Sequence, residues 1–284
     1  ELSFHKTITK VFYVLLVVMI VSMFLIENGM VHRKMMILFT EPSHFALVFL
    51  PILLYVTYVK HAAGSKKEAL SYILLTIYMI LDIKNATLMA GLFIVIVILY
   101  ARNIKYFLFF LLVIVIAAIA TFDLQYFITR LTISMQTDNV SVLVFISGWE
   151  RGYLSLIESY GVGLGFQQMG TGALGIAMEK IINMGLPPLN KYDGGTLGSK
   201  IVTELGVFGL LLIIVYVVTA IKVFVKMFLY RIDSYKEVFF YSIFIMMSVQ
   251  IFIRGGGYFT PLTFMFFVSL YWIYKVRPNF RTAT

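Results

Sequence analysis

Arg254 is followed by three glycines and two aromatics in RGGGYF, and this turn lies between two stretches apolar enough to cross a membrane. Two readings fit the arginine. It can end a helix, where a cation suits the negative end of the macrodipole and a following glycine closes the last carbonyls. One glycine is enough for that, whereas three also offer the backbone N–H groups of Gly255 and Gly256 as a cup for an anion. Arg151, in GWERGY, is either a surface partner of Glu150 or Glu158 or a second placed cation. Lys84, in IKNAT, either snorkels from a short hairpin or takes an anionic partner at the membrane boundary. Glu41 precedes Pro42 and Ser43, as a carboxylate does at a helix start, and Glu204 in TELGVFG is a similar first-turn acid. This set of residues can bind anions through a few placed cations. With no cysteine, and with His5, His32, His44 and His61 outside any ligand spacing, no metal site is expected.

The elements that must hold these residues are helices in a membrane. Hydrophobic residues make up 61% of the 284 residues and charged ones 13%, about half the charge of a soluble domain. Mean hydropathy is +0.93. The expected fold is an all-α integral membrane protein, a multi-spanning helical bundle. Apolar blocks at 9–26, 43–59, 68–84, 86–101, 105–122, 203–226, 238–254 and 260–275 give about eight spans, judged against the roughly 20 residues a crossing needs. The chain divides into five spans over 1–121, one long loop over 122–202, and three spans with a tail over 203–284. It opens on Glu1 with no cleavable signal pattern, and is expected to be the C-terminal part of a longer protein.

Lys and Arg in the short loops divide fourteen to four when the long loop is placed outside, which puts both ends of the chain in the cytoplasm and the Arg254 turn outside. The net charge of +9 is therefore loop bias, and nucleic acid is not an expected partner. The long loop holds five basic and six acidic residues, so it is no polycation. Its glycines 161, 163 and 165 follow no strand, which sets aside a nucleotide fingerprint and leaves a flexible turn for close approach to a ligand or to neighbouring helices. Residues 172–186 have apolar residues at helical spacing and either lie along the interface or cap the bundle. The Asn-x-Ser/Thr matches at Asn85 and Asn139 are read as chance.

FTEPSHFA, IKNATLMAGLFIVIVIL, WERGYLSLIESYGVGLGFQQMG, TLGSKIVTELGVFGLL and IRGGGYFTP occur here in that order around one long outer loop. In this the chain resembles the O-antigen polymerase and ligase family of bacterial inner membranes. The resemblance implies a glycosyltransferase that faces the periplasm and uses neither metal nor cofactor. Its partners would be an undecaprenyl-diphosphate-linked glycan donor and acceptor, membrane lipid, and, as a further candidate, a chain-length regulator. It assigns Arg254 and Arg151 as cations for the departing diphosphate, with Gly255 and Gly256 beside them, and sets Lys84 where the family often has an arginine. The general base is left between Glu41 and Glu150. The ligase branch carries a histidine ahead of the element matching TELGVFG, and residues 122–284 contain none, which favours polymerase over ligase. A polysaccharide transporter or flippase is the alternative of another class, although paired repeats are absent.

The orientation is open to direct test. A reporter active only outside the cell should give signal when fused at Tyr160 or Gly256 and stay silent at Gly64, Asn103 and Ile232; a cytoplasmic signal at Tyr160 would invert the assignment.

Overall fold

The computed structural model describes residues 1–30, 32, 35–103, 105, 108–110, 112, 128–130 and 132–275. Nine α-helices are found among them: α1 Leu2–Glu27, α2 Pro42–Ala62, α3 Lys66–Ile83, α4 Ala86–Tyr100, α5 Val140–Glu158, α6 Ile176–Asn183, α7 Leu197–Leu229, α8 Tyr235–Phe252 and α9 Pro261–Lys275. A 3-10 turn covers Met169–Thr171, and the sole extended pairing among these residues is the single bridge between Met36 and Phe39. The helix starts follow their local chemistry. Asn85, Asn139, Thr196 and Ser234 each turn a side-chain oxygen to a backbone N–H in the first turn of α4, α5, α7 and α8, satisfying donors that have no partner inside the helix. The two asparagines of the Asn-x-Ser/Thr matches are thus helix caps.

Among the described residues, five helices are long and apolar enough to cross a membrane: α1, α2, α5, α7 and α8. This makes a helical membrane protein, with the spans distributed differently from the eight expected. Most of the expected span over 105–122 lies outside the described residues. At 15 residues each, α4 and α9 reach about 22 Å against a hydrocarbon core of about 30 Å, and α3 carries Lys66, Lys67, Glu68 and Asp82. Inside the stretch expected to be one long loop lies a helix, α5. It packs on the first part of α7 and the residues just before it: Ser155 Oγ donates to the Thr203 carbonyl at 2.6 Å, and Gly148 lies against the Gly194 carbonyl.

At the centre of the bundle is α8, packed against α2, α7 and α9, with α1, α3 and α4 packed on α2 and α1 and α4 also reaching α8. The core is aromatic: Phe12 stacks on Phe49 at 5.8 Å, Phe49 on Phe45 at 5.2 Å, and Phe45 meets Phe39 edge-on. Two ends can be told apart. At one, Tyr58 donates to the Tyr230 carbonyl at 2.9 Å, Arg102 to the Leu229 carbonyl at 3.1 Å, and Lys226 pairs with Glu237 at 2.5 Å. At the other lie the starts of α2, α4, α7 and α9 and the ends of α3 and α8.

α7 is broken where this second end begins. Gly206 has φ 59 and ψ −134 inside the helix. The backbone groups freed by the break are taken by the 161–165 turn: Val207 N–H donates to Gly161 at 2.8 Å, while Leu164 and Gly165 donate to the Thr203 and Glu204 carbonyls at 3.0 and 2.9 Å. Non-helical backbone at such a depth survives when protein supplies the missing partners. A Cβ on Gly163 or on Gly206 would collide with the facing backbone, so the glycine turn serves close approach to a neighbouring helix. Expected segment 172–186 contains α6, which packs Met178 and Ile181 against Leu143 and Val144 of α5; it braces α5.

Gly206→Ala should therefore combine left-handed strain with a steric clash and cost about 2–5 kcal/mol. Gly64→Ala, at φ 85 with open space around it, should cost only about 1–2 kcal/mol. Thermal unfolding midpoints in detergent compare them, and equal midpoints would mean that the break is not held by the glycine turn.

Candidate functional site

The end of the bundle that holds the starts of α2, α4, α7 and α9 gathers residues that are far apart in the chain. Asn85, between α3 and α4, donates from Nδ2 to the Pro42 carbonyl at 2.7 Å, which ties that turn to the start of α2. Gly255 donates its N–H to the Gly195 carbonyl at 2.8 Å and packs on the backbone of Thr196 and Leu197, so the turn after α8 rests on the start of α7. Between these two anchors Arg254 Nη2 meets Glu41 Oε2 at 2.8 Å, and Ser43 Oγ donates to the same oxygen at 2.9 Å.

Two of the sequence candidates thus form one ion pair, 213 positions apart. Neither has its simple helix-end role. α8 ends at Phe252, the Arg254 N–H closes its last turn onto Val249 at 2.9 Å, and the guanidinium turns to Glu41 instead of the helix carbonyls. Glu41 occupies the N-cap position of α2 but makes no side-chain cap bond. Partial burial pushes its carboxyl up, and Arg254 together with the Ser43 hydroxyl more than offsets this, so Glu41 lies below the ordinary carboxylate value and is ionised at neutral pH. The pair is open to solvent, with Arg254 24% and Glu41 46% exposed in their side chains.

Beside the pair runs a cleft of about 260 Å³ lined by Phe39, His44, Leu47, Gly256, Phe259 and Leu262, among others. Its walls are mostly apolar, and His44 is held by Thr40 Oγ1 at 2.7 Å. Gly256 is exposed on its rim, whereas the Gly255 N–H that was expected to cup an anion already serves Gly195. Lys84 stands at the same end, half-buried and left-handed (φ 55) as the C-cap of α3.

The other candidates hold the scaffold. Arg151 is 2% exposed and makes no surface pair with Glu150 or Glu158. Its guanidinium donates to the carbonyls of Lys191 at 2.7 Å, Ala173 at 3.3 Å and Met169. Its planar fork is filled by backbone carbonyls. Glu150 accepts from the N–H groups of Ile176 and Ala177 at 2.7 and 2.9 Å and so caps α6, where a carboxylate suits the positive helix end. That geometry gives Glu150 a structural occupation at the start of α6.

Glu204 is no first-turn acid, because α7 begins at Leu197. It is buried and pairs with Lys200 at 2.6 Å, accepting also from the N–H groups of Gln167 and Met169. Lys200 in turn donates to the Tyr192 carbonyl at 2.6 Å and lies over the Tyr258 ring, which stacks on Phe166 at 5.2 Å. The pair was missed in the sequence, although its i,i+4 spacing is the available signal. No cluster of metal-ligating side chains occurs among the described residues.

Arg151→Lys should keep the charge yet lose the fork that reaches three carbonyls, at about 2–4 kcal/mol. Protease cleavage between Met169 and Lys191 should rise and membrane abundance fall in parallel. Normal stability with loss of activity alone would instead make Arg151 a substrate contact.

Compared with protein-family models, with curated proteins and with solved structures, the chain matches none.

Proposed function

We propose that this chain is a membrane glycosyltransferase that polymerises undecaprenyl-diphosphate-linked oligosaccharide repeats into surface polysaccharide on the periplasmic face of a bacterial inner membrane. The observation that carries the reading is the meeting of Glu41 and Arg254 beside an apolar cleft at one end of the bundle. That end is the one the Lys and Arg distribution assigns to the outside. The order of motifs that resembles the polymerase and ligase family supports it independently. The eight-span topology belongs to the same proposal, as does the placing of 122–202 outside the membrane, with α5 lying along α7 before its break.

In this reaction a hydroxyl of the acceptor sugar attacks the anomeric carbon of the donor chain. The bond from that carbon to the diphosphate oxygen breaks, and the electron pair leaves with the diphosphate. Arg254 neutralises the charge that grows there, with Lys84 at the same end of the bundle. Glu41, ionised and within reach of Arg254, takes the hydroxyl proton. Arg151 and Glu150 position the outer elements around this chemistry. The lack of a histidine in 122–284 favours polymerase over ligase. A transporter would share the broken helix, but here the glycine turn supplies the partners of the break.

A deletion strain should lose long polysaccharide chains and retain a single capped repeat; loss of every attached repeat would indicate a ligase. Arg254→Ala should abolish long chains at normal membrane abundance, with Arg254→Lys between, a loss of about 2–4 kcal/mol or roughly 30- to 1,000-fold in rate. Polymer length on gels, normalised to protein level, measures it, and full-length polymer from Arg254→Ala would remove Arg254 from the chemistry.

A further inference from the structure

Arg254 presents its guanidinium to the side chain of Glu41 at a partly exposed site, and Glu41 stands where an anionic ligand would bind. We propose that Glu41 is the resident occupant of a phosphate position at Arg254, and that a diphosphate enters by displacing it. The inference rests on the function proposed above and adds a regulatory step to that site.

Three features of the geometry support displacement. First, the Glu41 contact is monodentate: one carboxylate oxygen meets one guanidinium nitrogen. A phosphate engaging the fork with two parallel N–H bonds is the better ligand for the same group. Second, both partners are partly solvated, so exchanging one for the other leaves no charge buried without a partner. Third, Glu41 has an alternative when displaced. Ser43 Oγ already donates to it at 2.9 Å, and it sits at the start of α2, where a carboxylate is stabilised by the helix end.

The turn itself need not move. The Gly255 N–H bond to Gly195 fixes its backbone, while Gly256, next along, is exposed on the rim of the apolar cleft. Displacement also changes Glu41. Once Arg254 faces phosphate, the cation that stabilised the carboxylate is gone, and the group becomes a better proton acceptor as the substrate arrives. Binding and base activation are thereby coupled through one side chain. Before binding, the paired carboxylate is a weak base and the site is quiet.

The test uses the full chain in lipid nanodiscs, titrated with inorganic pyrophosphate and then competed with undecaprenyl diphosphate in the same discs. Glu41→Gln keeps the side-chain size and removes the competing charge, and should bind pyrophosphate about tenfold tighter than wild type. In an Arg254→Gln background the same change should add less than about twofold, which separates displacement at Arg254 from a general change in surface charge. Unchanged or weaker binding by Glu41→Gln would overturn the proposal, as would a tightening that survives Arg254→Gln or a complete lack of pyrophosphate binding. Tightening through Arg254 without competition by the lipid diphosphate would uphold displacement and sink the glycosyltransferase reading. Competition by the lipid with no effect of Glu41→Gln would do the reverse.

Discussion

A guanidinium buried among helices stays charged only if acceptors surround it, and Arg151 meets that demand with three backbone carbonyls drawn from Met169, Ala173 and Lys191. Much of the end that carries the candidate site depends on this one side chain. It gathers a segment with little regular structure of its own and fastens it to α5. The Lys200–Glu204 pair fastens the same segment to α7 from the other side, through Gln167, Met169 and Tyr192. A buried ion pair adds little net stability over an apolar pair, but breaking one half of it costs about 3–5 kcal/mol. Together they make the position of the segment costly to change.

That rigidity reaches the candidate site through the start of α7. Gly195 and Thr196 end the fastened segment, and Gly255 lies against both. The turn that carries Arg254 is therefore seated on a platform made by Arg151, Lys200 and Glu204, none of which is close to Arg254 in sequence. On the far side, Asn85 and Pro42 place Glu41. The ion pair is the point where these two constructions meet, and its exposure leaves it the adaptable part of an otherwise tightly bonded end.

The broken helix α7 serves the same arrangement. A continuous helix would carry residues 197–205 straight on from the membrane part; the reversal at Gly206 lets that segment take its own direction beside α5. The glycine turn at 161–165 compensates for the lost helical bonds, so the change of direction is not a weak point.

Composition and hydropathy alone determined that this is a helical membrane protein, because apolar blocks of such length have no other stable use and each helix satisfies its own backbone. They also placed the starts of α2 and α4 and the ends of α3 and α8 to within a few residues, since caps and breakers act locally. Glu41 and Arg254 were legible as candidates from their residue type and position beside apolar blocks. Their meeting was not, because 213 positions separate them and only the packing of α8 on α2 closes that distance. The same limit hid the occupation of Arg151 and Glu150. A local window shows a charge in a polar stretch, whereas burial and carbonyl partners arise only when distant loops fold over it. α5 was read as loop for a related reason: Gly148, Glu150, Arg151 and Gly152 interrupt its apolar pattern, and tertiary contacts on each of these residues turn the interruption into an interface.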